Sequence, residues 1–418
     1  MPSLMETLTS SLNHDVEKLT AYLETISHPQ PSFKHDSPPT TLPENAPDEI
    51  QQIREQIMDN ALNIFHLAAG PSEFLVNLST SYHYIACLNW LTMFNIFTHI
   101  PLDGLISYTG LSAKAKVPEQ RLKSICRMAI TTHLLAEPSP GYISHSSISA
   151  LLNKNPHYRD WAVFMCQMSA PTAAGLVCAS IKWPGSSEKN ETAYNFAFNT
   201  DLPFFEDLKR NPERRNMFSG YMRCIAAEGS SSGVRFLVDG FDWEGVGEGV
   251  VVDIGGSRGH VSLTLAENYQ NLSFIVQDLP EVISSTANPT QNPKIKYQAH
   301  DFFTPQPVLS ANIYLLRMIL HDWPTTDCVK ILKNIIPAMG PHSKIIIMDT
   351  ILPEPGSVPL SRERILRSRD MIMMQVFNSS ERGLSEWEEV FEETGKLRLE
   401  SWEMPVESVM GLMVLGLE

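Results

Sequence analysis

Four short stretches in the C-terminal half of this 418-residue chain hold residue types that do chemistry. "VVDIGGSRGH" carries Gly255, Gly256, Ser257 and Gly259 behind a short apolar run. "FIVQDLPEV" places Asp278 19 positions after Gly259 (278 − 259), and "HDFF" supplies Asp301 and Phe302. "LLRMILHDW" supplies Arg317, His321, Asp322 and Trp323. Glycines at a strand-to-helix turn let a ligand approach the backbone, and an acid about 20 residues further on suits two ribose hydroxyls. A later carboxylate can accept from an adenine amino group while an aromatic ring covers its face.

Three chemistries compete for these residues. Gly255, Ser257 and Gly259 spell G-x-S-x-G, and Ser257, Asp278 and His321 follow the chain order of a hydrolase triad. Two things oppose that reading: no HGGG-type segment lies upstream, and acids past two successive strands form a nucleoside layout. A nicotinamide cofactor needs a close approach to a pyrophosphate, usually through G-x-G-x-x-G. Here Ser257 stands at the second glycine and the pattern ends early at Gly259. S-adenosyl-L-methionine has no pyrophosphate. Its amino-acid end can lie on the glycine turn, its ribose on Asp278 and its adenine near Asp301 and Phe302, with Arg317 as a further anchor. The residues favour that cofactor.

These residues need a scaffold that presents them along one edge. Strands are expected at 250–254, 273–277, 295–298, 313–317 and 344–348, with helical patterns between most of them. Strand and helix alternating at this spacing imply a doubly wound, Rossmann-like α/β domain with a parallel sheet. In such sheets ligands bind beyond the carboxyl ends of the strands, where all four stretches fall.

The N-terminal half reads differently. Apolar residues from Leu4 to Ile26 recur at helical steps. "HPQPSFKHDSPPTTLPENAPDE" reads as an extended or mobile linker. A second helical pattern begins near Glu49, and helix, turn, helix and a short hairpin follow to about Leu152, in the manner of a winged helix. Arg121, Lys123 and Arg127 are the only basic cluster there, so packing and dimerisation are expected rather than DNA binding. Residues 153–240 read as a helical connector whose aromatics, in "ETAYNFAFNTDLPFFEDL", could line a substrate site. The expected organisation is 1–50 (helix and linker), 51–152 (winged-helix-like dimerisation domain), 153–240 (connector) and 241–418 (cofactor domain).

Bulk properties narrow the function. The formal net charge of −15 argues against nucleic acid as a partner. Six scattered cysteines without C-x-x-C imply neither a disulfide frame nor a metal site. The first residues lack the basic start and apolar core of a signal peptide. No uninterrupted apolar run reaches about 18 residues, so no membrane span is expected. The expected location is the cytoplasm.

Taken together, "VVDIGGSRGHVS", "FIVQDLPEVI", "HDFFTPQP", "LLRMILHDWPTTDCVKILKNI", "IIIMDTILPEPG" and "RDMIMMQVFNSSERGLSEWEEVFEETG" resemble the plant and fungal small-molecule O-methyltransferases of the caffeic-acid type. They span almost all of 249–395, in family order. The resemblance implies methyl transfer from S-adenosyl-L-methionine to a hydroxyl of an apolar or aromatic metabolite by a homodimer. It carries the role of base to His321 and of flanking acids to Asp349 and Glu381. A neutral imidazole of pKa about 6.5 could take a proton from a phenol of pKa near 10. Plant relatives usually hold Glu where Asp349 stands and Thr where Gly383 stands. Asp322 is expected to cap the following helix, His145 to be a satisfied loop histidine, and Met371, Met373 and Met374 to pack or touch substrate. Some members of this family instead act as pericyclases that bind the cofactor without spending its methyl group, and that alternative stays open from sequence.

Overall fold

The computed structural model describes residues 2–43, 45–226, 232–285, 292–405 and 408–418. The chain forms two compact units. The first comprises 1–178, 196–224 and 359–362; the second comprises 179–195, 225–358 and 363–418.

The first unit is mainly helical. Helix Leu4–Thr25 starts in a capping box, with Ser3 accepting from the Glu6 amide and Glu6 accepting from the Ser3 amide. The helical run Asp48–Met93 breaks at Gly70, whose φ is +64°. The cause is Pro71, which lacks an N–H and crowds the preceding turn. The run between the two helices is not a bare tether, because Leu42 and Ala46 bury themselves against Leu19, Leu23 and Ile53. Two apolar residues in a Pro- and Ser-rich stretch suffice to dock it. Helices Tyr108–Ala115 and Glu119–Ile130 precede the antiparallel pair Leu135–Ser139 and Tyr142–His145, which Ile106–Ser107 joins as a third strand. Leu91, Leu111, Leu122, Cys126 and Ile143 make their common core. His145 is buried and satisfied, with Ser149 Oγ 2.9 Å from Nδ1 and the Ile100 carbonyl 3.3 Å from Nε2.

One helical run among the described residues, Pro156–Lys182, is long and apolar enough by composition to cross a bilayer. Within the first unit, its Ala162, Phe164, Cys166 and Met168 are buried, whereas Val177 is 68% exposed.

The second unit is built on a seven-stranded sheet. Its strands are β1 (Gly249–Ile254), β2 (Leu272–Asp278), β3 (Ile295–Ala299), β4 (Ile313–Arg317), β5 (Lys344–Asp349), β6 (Leu397–Glu403) and β7 (Gly411–Leu417). Their order is β6-β7-β5-β4-β1-β2-β3. β1 to β5 are mutually parallel, and β7 and β6 run antiparallel at one edge. The sheet is therefore mixed. The sequence pattern gave the five parallel strands to within a residue or two, whereas β6 and β7 went unread.

Alternate side chains feed opposite faces. Val252, Ile254, Tyr314, Leu316, Ile345 and Ile347 pack on one side. Val251, Ile313, Leu315, Ile346 and Met348 pack on the other. A sheet buried on both faces is rigid, so its strand ends are fixed points. The register Ile254–Gln277, Asp278–Ala299, Ile254–Leu316 and Arg317–Met348 sets those carboxyl ends side by side.

Candidate active site

The turn after β1 is locally demanding. Gly255 and Gly259 have φ of +72° and +74°, and Ser257 between them has +51°. A Cβ on Gly259 would lie 2.9 Å from the Tyr297 hydroxyl and 3.0 Å from Val276 Cγ2. A Cβ on Gly255 would lie 2.4 Å from Ile319 Cδ1 and 3.9 Å from Phe302 Cε1. Glycine is required at both positions by backbone conformation and by space. The second contact also shows that the glycine turn and Phe302 face the same place.

The Asp278 carboxylate holds this turn. It accepts from the Ser257 amide at 2.9 Å and from the Leu279 amide at 2.7 Å. A carboxylate offers about four lone-pair sites, so acceptor capacity remains for a ligand. Burial raises its pKa, against the two amide bonds. Asp301 lies on the neighbouring tip, one residue past His300, whose amide donates to the Asp278 carbonyl at 2.9 Å. Its exposed side chain accepts from the Phe303 amide at 2.9 Å. Asp253 stays below the surface, taking a hydrogen bond from Ser262 Oγ at 2.6 Å. Burial pushes it up to about 6 despite Ser262 and Arg317. Arg317, at the end of β4, donates from Nη2 to the Ser232 carbonyl. Its buried Nε finds no hydrogen-bond partner among the described residues.

A second cluster surrounds His321, which sits in the short 3-10 turn Leu320–Asp322. Its Nδ1 lies 3.2 Å from Glu381 Oε1 and 3.8 Å from Asp349 Oδ1, while Nε2 lies 3.6 Å from Asp322 Oδ1. All three acids converge on one buried ring. Burial alone would lower the imidazole pKa, but Asp349, Glu381 and Asp322 outweigh it and raise it to about 10. The sequence-based expectation of about 6.5 ignored these neighbours. The acids respond in kind. Burial pushes Asp322 up to about 7 and Asp349 up to about 6, with the imidazole opposing in each case. Glu381 is lowered: burial acts against this, and the charges of His321 and Arg369 overcome it. Groups this close titrate as one unit.

The shorter side chain of Asp349 has a visible consequence. Its Oδ2 accepts from the Leu320 amide at 3.1 Å, so it grips the turn backbone, and its Oδ1 stops short of hydrogen-bonding the ring. Glu381 makes the bond to Nδ1 instead. Asp322 does not cap the next helix. Pro324 occupies the cap of Thr325–Ile335 without a side-chain bond, and Asp322 turns toward the imidazole. Trp323 is half-buried, edge-on to Phe303 and Phe302 at ring separations of 4.7 and 5.7 Å.

Four supporting residues escaped the sequence reading. Arg382 is buried and donates to the Trp323 carbonyl at 2.8 Å and the Leu320 carbonyl at 3.4 Å, the two carbonyls that bracket His321 and Asp322. Ser379 Oγ donates to the His321 carbonyl at 2.7 Å. Asp370 Oδ1 accepts from the Glu381 amide at 3.0 Å. Arg369 Nε lies 3.8 Å from Glu381 Oε1. The available signal for Arg369 and Asp370 was "SRD" beside the apolar "MIMMQVF": charges in the middle of a half-buried helix need partners.

An O-methyltransferase domain profile matches residues 182–396. The O-methyltransferase aurJ of Gibberella zeae is 44% identical over all of this chain and 98% of its own length. The chain belongs to the O-methyltransferase family. The O-methyltransferase aoiF of Aspergillus oryzae is 45% identical over 99% of this chain and all of its own. As a member of that family the chain is an S-adenosyl-L-methionine-dependent O-methyltransferase. Among solved structures, a pericyclic reaction enzyme matches with a TM-score of 0.75 at 26% identity, covering 88% of this chain and 94% of that one. OxaC, in complex with sinefungin and meleagrin, matches with a TM-score of 0.76 at 20% identity, covering 98% and 99%. At that identity OxaC speaks to the fold alone.

Proposed function

We propose that this O-methyltransferase methylates a hydroxyl of an aromatic secondary metabolite, with His321 as general base. The observation that carries this is the asymmetry of the ring: Glu381 engages Nδ1, which leaves Nε2 as the nitrogen for proton transfer. When bound, S-adenosyl-L-methionine supplies a methyl group made electrophilic by its sulfonium. The strand tips fit that molecule. Asp278 has acceptor capacity left for ribose hydroxyls, and Asp301 with Phe302 suits an adenine. The free Nε of Arg317 and the turn Gly255, Gly256 and Gly259 suit its amino-acid end.

His321 works in its neutral form. Nδ1–H donates to Glu381, and the Nε2 lone pair takes the hydroxyl proton as the oxygen becomes nucleophilic. Asp349 grips the Leu320 amide and keeps the turn in place. A base whose pKa approaches that of a phenol makes the proton transfer close to thermoneutral. The cost is that little of the ring is neutral at pH 7, so the rate rises with pH until His321 has lost its proton.

The partner is proposed to be a second copy of this chain. Phe74, Leu75, Val76 and Leu78 occupy one helix of the first unit, and Leu75 and Val76 are 72% and 67% exposed. Contiguous apolar exposure of this kind marks an interaction surface. Light scattering on the purified chain tests the dimer. Incubation with methyl-labelled S-adenosyl-L-methionine and hydroxylated aromatics tests the reaction: labelled ether product is expected. Substrate turnover without mass gain would support cyclisation instead.

A further inference from the structure

The Glu381 carboxylate that engages His321 has a second cationic neighbour. Arg369 belongs to helix Leu360–Phe377, and its side chain is only 19% exposed. Its Nε lies 3.8 Å from Glu381 Oε1, the same oxygen that sits 3.2 Å from His321 Nδ1. Its Nη1 donates to Ser232 Oγ at 3.0 Å, which fixes the guanidinium. The next residue, Asp370, accepts from the Glu381 amide at 3.0 Å. Two adjacent helix positions therefore address Glu381, one through its backbone and one through its charge.

We infer that Arg369 is a positioning residue that shares Glu381 with His321 and so limits how strongly the imidazole holds its proton. This deepens the base assignment above and rests on it for its catalytic meaning. Every charged group facing the ring enters the balance. Asp322 comes from the ring's own turn, Asp349 from the end of β5 and Glu381 from the segment after the Arg369 helix. Arg317 and Arg382 stand behind Asp349, and Arg369 stands behind Glu381. Three carboxylates with one imidazole would hold the proton too tightly for a base. A cation drawing on Glu381 weakens that hold, because a nearby positive charge disfavours imidazolium. Glu381 falls below its ordinary value: burial opposes this, and His321 and Arg369 overcome it.

The test reads the proton directly in the full chain, without turnover. Histidine is labelled with carbon-13 at Cε1, and H321Q identifies the His321 resonance. Its titration is followed in the wild type, R369Q, R369M and R369K. A D322N background, which loses one carboxylate, brings the midpoint down into a range where the chain stays folded. Circular dichroism checks each variant, and the two neutral variants back each other up. The midpoint should rise by about one pH unit in R369Q or R369M and return to the parent value in R369K. A midpoint unchanged or lowered in the folded neutral variants would overturn the inference. The base reading fails separately: H321Q that still methylates at the wild-type rate at pH 7 would sink it while leaving the coupling measured.

Discussion

The glycine turn and the His321 cluster sit on the same sheet edge and treat their carboxylates in opposite ways. Asp278 is half-exposed and accepts two backbone amides close to it in space. Around His321, three carboxylates gather with too few donors. Asp349 Oδ1 and Glu381 Oε2 are buried without a hydrogen-bond partner among the described residues. Main-chain amides make Asp278 a grip of fixed position, suited to holding a nucleoside. Acids with few hydrogen-bond donors around one imidazole make the second cluster a store for a proton, suited to moving one. In the proposed reaction, binding and proton transfer are thereby separated along one row of strand ends.

The sharpest way to break this contrast is to delete the ring. H321A should lose about 10²- to 10⁴-fold in transfer rate near pH 7, the usual worth of a general base, with affinity for S-adenosyl-L-methionine unchanged by calorimetry. The reciprocal variant is D278A. It should weaken S-adenosyl-L-methionine binding about 10- to 100-fold, as expected from losing charge-assisted hydrogen bonds, and leave the pH profile in place. If both variants damaged binding and profile alike, the two regions would be one functional site. G259A combines positive φ with a 2.9 Å clash and should destabilise the fold by about 1–3 kcal/mol, seen as a lower Tm. The smallest effect sharpens the electrostatics. D322N removes a carboxylate 3.6 Å from Nε2. A general base acts unprotonated, so rate rises with pH through the His321 pKa. Losing a negative neighbour lowers that pKa, and the acid limb should move about one unit toward neutral pH.

The two regions also differ in how much the sequence disclosed. The glycine turn is a local pattern: turn, strand and acid lie within 30 residues, and register alone sets Asp278 against the turn. The parallel strands were equally legible, because buried β-strands read as short apolar runs. β6 and β7 carry strand signals too, β6 alternating Leu397 and Leu399 with Arg398 and Glu400 and β7 being a buried apolar run, but they follow the last strand–helix alternation and no crossover pattern calls for them. The His321 cluster is assembled from 320–322, 349 and 381, which no periodicity links. Its three acids came partly from family resemblance, and Asp322 was read as a helix cap because short-range chemistry is the default for an acid before a helix. The shift of the imidazole to about 10 could not be read at all, since it depends on burial and on distances between remote residues.

The central claim, that His321 takes the proton from the acceptor hydroxyl, has one direct measurement. Transfer of labelled methyl is compared for wild type and H321A at pH 7 with two acceptors, an ordinary phenol of pKa near 10 and a phenol acidified by electron-withdrawing groups until it is fully ionised at that pH. A large defect is expected with the ordinary phenol and a much smaller one with the ionised acceptor, which needs no base. A defect equally deep with both acceptors, or no defect with the ordinary phenol, would contradict the claim.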